Sequence, residues 1–107
     1  MKDTQTIARP YAKALFELAL KHEAMAMWRD ALAVLATCVE DKQMQQLIDH
    51  PEVSADMLVD VLVTVLKRSM SKYKHIEVVE HAVIMMAKQH RLSVLPEIFR
   101  QYEMLKA

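Results

Sequence analysis

The chain has 107 residues, of which 53% are hydrophobic and 26% charged, and it contains no glycine, three prolines and one cysteine. Its length predicts one domain, and the absence of glycine excludes glycine-rich phosphate loops and dinucleotide fingerprints. Its 14 basic and 14 acidic residues give a formal charge of zero, which argues against nucleic-acid binding because that binding depends on neutralised phosphates. No stretch approaches the roughly 20 apolar residues of a membrane span, so we expect no direct membrane insertion.

The first half of the chain predicts three helices. Apolar residues at helical spacing indicate a first helix over residues 6–21, capped by Thr4 or Thr6, with Pro10 in or just after its first turn. A second helix covers residues 24–39 and carries Trp28 on its apolar face. A short third helix over residues 42–49 ends before Pro51, because the residue before a proline is driven out of the α region.

Three more helices follow in the second half. Ser54 caps a fourth helix that ends in the basic run 67–74, and a fifth covers residues 75–90. Ser93 caps the sixth, which reaches Leu105. These elements predict an all-α, compact six-helix bundle forming a single domain over residues 1–107.

The first and fifth helices carry more apolar surface than a small bundle needs. A surface helix requires one apolar stripe a little over 100° wide, and both helices exceed it. One explanation is a groove between them that binds an amphipathic helix from another protein. The other is that both helices are central in the bundle and nearly enclosed. Periodicity alone leaves both interpretations open.

The residues that carry chemistry form no recognisable constellation. Glu77 and His81 are one turn apart, but a metal site needs more ligands than this pair supplies. His81 or His90 could serve a phosphorelay only by position, and Cys38 lies on an apolar helix face. We therefore expect no catalytic residues, no metal site and no bound cofactor, and the basic run 67–74 is interpreted as a solvated helix end.

Several segments carry a resemblance to a known family. Residues 6–19 read TIARPYAKALFELA and residues 91–99 read RLSVLPEIF, with Trp28 and the short run MQQLI at residues 44–48 between them. This pattern is similar to the N-terminal domain of the δ subunit of bacterial F-type ATP synthase, also called the oligomycin-sensitivity-conferring protein. The resemblance covers essentially the whole chain and is strongest at its two ends.

The resemblance implies a non-catalytic stator role. Members join the catalytic head to the peripheral stalk, so that rotor torque does not spin the stator during proton-driven ATP synthesis. Their N-terminal domain is a six-helix bundle whose first and fifth helices form a groove for the N-terminal helix of an α subunit. Carried onto this sequence, the groove residues are Tyr11, Ala14, Leu15, Leu18, Val78, Val79, Ala82 and Met86.

The resemblance also implies where the protein acts and which contact its residues do not make. Members act as peripheral components of the ATP synthase at the cytoplasmic face of the bacterial inner membrane. They have a second, C-terminal domain that contacts the stalk b subunits, and this chain stops near the end of the first domain, so we expect no b-subunit contact from these residues. The alternative function is a generic helical adaptor that binds another amphipathic helix in the same groove.

Overall fold

The computed structural model describes residues 3–106, which form six α-helices, one 3-10 turn and no strand. This confirms the predicted all-α, six-helix bundle. The radius of gyration, 13.1 Å, matches the roughly 13 Å expected of one compact domain of this length. No helix within the described residues is long and apolar enough to cross a membrane. The helices are α1 (Thr4–Lys21), α2 (Met25–Glu40), α3 (Lys42–Asp49), α4 (Ala55–Ser69), α5 (Glu77–Lys88) and α6 (Leu95–Lys106), with the 3-10 turn at Leu92–Val94 before α6.

The last helix organises the core. α6 packs extensively against both α1 and α2, while α5 packs mainly against α4. Trp28 of α2 and Tyr102 of α6 are the largest fully buried side chains. The Tyr102 hydroxyl donates a 2.9 Å hydrogen bond to the Met25 carbonyl, which satisfies the one polar atom of that buried ring. Trp28 therefore lies in the core, as its place on an apolar stripe predicted.

Side-chain caps fix the starts of three helices. The Ser54 hydroxyl accepts from the Met57 amide at 3.2 Å, which confirms the predicted cap of α4. Asp41 caps α3 in the same way. The predicted cap of α1, Thr4 or Thr6, is wrong, because Asp3 accepts from the Thr6 amide at 2.8 Å and the helix begins at Thr4. Pro10 consequently lies in the second turn of α1, where its missing N–H removes one intrahelical hydrogen bond.

The fifth helix is bounded at both ends by left-handed residues that the sequence did not reveal. α5 is shorter than the predicted 75–90 because His75 (φ 62°) and His90 (φ 57°) leave the helical region. At its C-terminus the Arg91 amide donates to the Met86 carbonyl at 2.8 Å, and the His90 amide donates to the Ala87 carbonyl at 3.2 Å. This is a Schellman motif whose left-handed position holds histidine in place of the usual glycine.

The start of α6 also differs from the prediction. Ser93 does not cap this helix, because Ser93 lies inside the 3-10 turn and α6 begins directly after that turn at Leu95. The 3-10 turn buries Leu92 and Val94, so it adds to the core while it redirects the chain.

A glycine at position 90 should stabilise the protein. The left-handed conformation costs a residue with a Cβ roughly 1–2 kcal/mol, and glycine adopts it freely, although glycine also gains entropy in the unfolded chain. We expect His90→Gly to raise the free energy of unfolding by about 0.5–1 kcal/mol, measured by urea denaturation followed by circular dichroism. The control is Lys88→Gly, inside the last helical turn, which should lower it by about 1 kcal/mol. A destabilised His90→Gly variant would contradict this account of the turn.

Candidate partner-binding surface

One flank of α1 faces α6 and the opposite flank does not. The Phe16 ring packs edge-on against Tyr102 of α6, with ring centroids 5.8 Å apart and planes at 71°. The Gln101 side-chain amide of α6 donates to the Gln5 carbonyl at 2.9 Å. Residues spaced three and four apart share a helix face, so the flank that carries Tyr11, Ala14 and Leu18 points away from α6.

That second flank of α1 is directed toward α5. The Tyr11 hydroxyl donates a hydrogen bond to the side-chain oxygen of Gln89, the C-cap of α5. At the other end of α1, His22 lines the same cleft as Val78, in the first turn of α5. The two helices therefore run antiparallel, with Tyr11 opposite Gln89 and His22 near Val78.

The flanks of α1 and α5 that are directed toward each other form one candidate surface. α1 and α5 make little backbone contact with each other, because α1 is held by α6 and α5 by α4. Gln89 shares one flank of α5 with Met85, Ala82 and Val78, because these positions are three or four residues apart along the helix. We call the surface between the two flanks the α1/α5 trough. Its sides are formed by Tyr11, Ala14 and Leu18 on α1 and by Val78, Ala82, Met85 and Gln89 on α5.

The eight predicted groove residues divide into two sets. Tyr11, Leu18 and Val78 are half-buried and Ala14 is exposed, and these four lie along the trough. The remaining four are buried, so they belong mainly to the hydrophobic core, and only Ala82 among them lies on a trough flank. The buried set is Leu15, Val79, Ala82 and Met86.

Met85 belongs to the trough although it was absent from the predicted set. Its side chain is 44% exposed, whereas that of its neighbour Met86 is 1% exposed. The predicted residues combined two different flanks of α5, one with Val78 and Ala82 and the other with Val79 and Met86. The spacing of Met85 from Val78 and Ala82, seven and three residues, is the signal that assigns it to the first flank.

A cleft opens at one end of the trough. It has a volume of about 610 Å³ and is lined by residues 22–24 between α1 and α2, residues 26–28 of α2, and residues 73–75 and 77–78 at the start of α5. Met27 and Trp28 are buried at this site, and Val78 is half-buried. We call it the end cleft. Its volume lies within the range of ligand pockets, and its lining combines an apolar floor with a charged rim.

A short hydrogen bond fixes one wall of the end cleft. The Tyr73 hydroxyl donates to the Asp30 carboxylate at 2.5 Å and joins the segment before α5 to α2. This hydrogen bond is the main cause of the lowered pKa of Asp30, with a smaller contribution from Arg29, and it raises the pKa of Tyr73. Arg29 in turn pairs with Glu103 of α6 at 2.9 Å and lies over the Phe99 ring.

The remaining candidates for chemistry are Cys38, His81 and His90. Burial is the main cause of the raised pKa of the half-buried Cys38 thiol, which keeps the thiol protonated at neutral pH. His81 and His90 are exposed. Across the described part of the chain, no three histidine, cysteine, aspartate or glutamate side chains come together as metal ligands would.

Removing the Tyr73 hydroxyl should raise the pKa of Asp30 toward its ordinary value of 3.8. Because the folded-state pKa is depressed, the stabilisation is present above the unfolded value and is lost as the pH falls through the folded value. We therefore expect Tyr73→Phe to destabilise the protein at pH 7 and to approach the wild type below about pH 3.8, the value for an unperturbed carboxyl.

The measurement is a carbonyl-carbon nuclear magnetic resonance titration of Asp30, with urea denaturation at each pH. Tyr11→Phe is the control, because it removes a hydroxyl that bonds Gln89 and not Asp30. An Asp30 pKa that is the same in wild type and Tyr73→Phe contradicts the assignment.

Comparison with known proteins finds one family that this chain resembles over nearly its whole length. A family model described as ATP synthase delta (OSCP) subunit matches residues 7–107. The ATP synthase subunit delta of Neisseria meningitidis is 39% identical over 103 residues, which cover 96% of this chain and 55% of that protein. The subunit delta of Legionella pneumophila is 36% identical over 107 residues, covering 100% of this chain and 58% of that protein.

A third relative shows a similar identity and a similar coverage of the two chains. The ATP synthase subunit delta of Nitrosospira multiformis is 34% identical over 106 residues, covering 99% of this chain and 57% of that protein. The chain thus spans a little over half the length of the curated relatives it matches.

Proposed function

The chain belongs to the ATP synthase delta (OSCP) subunit family, and from this premise we propose that it is a non-catalytic stator component that links the catalytic head of the F-type ATP synthase to the peripheral stalk. In this proposal the α1/α5 trough binds the N-terminal helix of an α subunit. The binding has no chemical step, and its free energy comes from apolar surface removed from water.

The observation that carries the proposal is the separation of α1 from α5. Each helix is held on one side by a different neighbour, and the two flanks that face each other keep apolar side chains at the surface. An amphipathic helix fits such a surface by inserting side chains spaced three and four apart. Ala14 and Ala82 leave room for a close approach, and the flexible Met85 side chain adapts to the shape of the guest.

The proposal also says where the chain acts and which contacts it makes within the synthase. As part of the synthase, the chain would lie at the cytoplasmic face of the bacterial inner membrane as a peripheral component. The matched relatives are longer, and we propose that contact with the stalk b subunits belongs to the portion of those relatives that this chain does not match. Residues 3–106 would then provide the head-side half of the connection.

The test uses a synthetic peptide of the first 20 or so residues of the α subunit from the same genome, titrated into the protein by isothermal calorimetry. Ala14→Asp places a charge on the trough, and we expect the dissociation constant to rise at least about tenfold, or about 1.4 kcal/mol. Leu20→Asp is the matched control. It lies about 200° around the α1 axis from Leu18, and its side chain is 54% exposed, so it should leave affinity unchanged.

A second pair of variants tests the α5 side of the trough. Met85→Asp should weaken binding to the same degree as Ala14→Asp, whereas Met104→Asp, at an exposed position of α6, should not. Circular dichroism of each variant checks that the fold is intact. If peptide binding does not saturate at 100 µM or so, or if the trough and control variants weaken it equally, the assignment fails. Failure with the α-subunit peptide alongside binding of an unrelated amphipathic helix would favour a generic adaptor.

A further inference from the structure

The outer face of α4 carries a stripe of exposed residues. Three leucines of this helix, Leu58, Leu62 and Leu66, are buried and pack it into the bundle. On the outer face, the side chain of Met57 is 55% exposed and that of Val61 is 44% exposed. The leucine face therefore provides the contacts of α4 with the rest of the chain, and the outer stripe keeps apolar groups at the surface.

The spacing of this stripe is that of a coiled-coil seam. Its members follow one another at intervals of four, three and four residues, and all of them are exposed: Met57, Val61, Thr64 and Arg68. A coiled-coil seam alternates such intervals, because its a and d positions repeat every 3.5 residues on average. Val61 and Arg68 then occupy a positions, and Met57 and Thr64 occupy d positions. We call these four residues the α4 seam.

The charged residues beside the α4 seam change sign along the helix. Asp60 and Lys67 each directly precede an a position, so both occupy g positions on the same side of the seam. Within residues 3–106 neither side chain forms an ion pair. Lys67 lies in the last turn of α4, where it stabilises its own helix, but Asp60 lies beyond the first turn, where a carboxylate would do so. The helix dipole therefore accounts for the lysine and leaves the aspartate without a local role.

These charges fit a second copy of the same helix. When two helices pair antiparallel, the g positions of one face the g positions of the other, so Asp60 of each copy meets Lys67 of the other copy, twice by two-fold symmetry. The same register places Val61 opposite Thr64, and the two helix dipoles attract each other. A parallel pair would instead place Asp60 against Val65, at an e position. The charge pattern of α4 thus complements itself in the antiparallel arrangement alone.

From these observations we propose that two copies of this chain associate through the α4 seam as an antiparallel, two-fold symmetric pair. Met57, Val61 and the aliphatic stem of Arg68 supply the apolar contact, and the two pairs of Asp60 with Lys67 set the orientation. One pair of four-turn helices lies at or below the low end of stable interfaces, roughly 1,200 Å², so the association is weak and concentration-dependent. The α4 seam forms no side of the α1/α5 trough, so this proposal is independent of the proposed function.

Association is tested by sedimentation equilibrium of the wild type from about 10 µM to about 1 mM. We expect the mean mass to rise from that of one copy toward that of two. Val61→Asp buries a carboxylate in the seam and should keep the protein monomeric throughout. Met104→Asp, at an exposed position of α6, is the matched control and should associate as the wild type does. A wild type that stays monomeric at about 1 mM, or equal effects of the two variants, overturns the proposal.

A charge swap tests the antiparallel orientation. Asp60→Lys and Lys67→Asp each place like charges opposite each other twice, so each alone should weaken association about tenfold, with the effect shrinking as salt is added. An equimolar mixture of the two variants restores both opposite-charge pairs in a mixed dimer and should associate at least as well as the wild type. Unchanged association of either variant, or a mixture no better than its components, overturns the antiparallel pairing. Circular dichroism checks each fold, and an unchanged affinity for the α-subunit peptide separates this result from the proposed function.

Discussion

The packing of α6 between α1 and α2 is the contact on which the rest of the molecule depends. Three alanines of α1 (Ala8, Ala12 and Ala19) are fully buried, and side chains this small let neighbouring backbones approach closely. The Tyr102 ring of α6 fills the space beside Phe16 and bonds to the start of α2. The helix α5 packs mainly against α4 instead.

This arrangement explains how a small bundle keeps two apolar flanks at its surface. A chain of this length has few helices with which to cover the flanks of α1 and α5 that face each other. The Tyr11–Gln89 hydrogen bond joins the pair at one end only, and the Asp30–Tyr73 bond holds the segment before α5 against α2. Polar contacts of this kind set positions, while burial of apolar side chains supplies most of the stability.

Local signals in the sequence predicted much of the fold. Ser54 as a cap and Pro51 as a stop mark boundaries through short-range chemistry, and both predictions agree with the structure. The helix α5 is two residues shorter at each end than predicted because His75 and His90 are left-handed without being glycine, so composition gives no warning of the turn. Ser93 was assigned as a cap on residue type, whereas burial of Leu92 and Val94 draws this segment into a 3-10 turn.

The site was predictable only to the level of which helices form it. Excess apolar surface singled out α1 and α5, and helical spacing limited the choice of flank to two on each helix. The choice between flanks depends on where α6 lies. The contact between α1 and α6 joins residues about 80 to 90 positions apart in the sequence, such as Phe16 and Tyr102. Periodicity within one helix does not show where α6 lies. The predicted set therefore includes the buried Met86 and omits the exposed Met85.

The hydrogen bond between Tyr11 and Gln89 also sets a length scale. Helical rise is about 1.5 Å per residue, so the stretch of α1 from Tyr11 to His22 measures about 16 Å. Three helical turns, or about 11 residues, span that distance. A short amphipathic segment is therefore long enough to occupy the whole surface, and any additional turns would extend past the tyrosine into solvent.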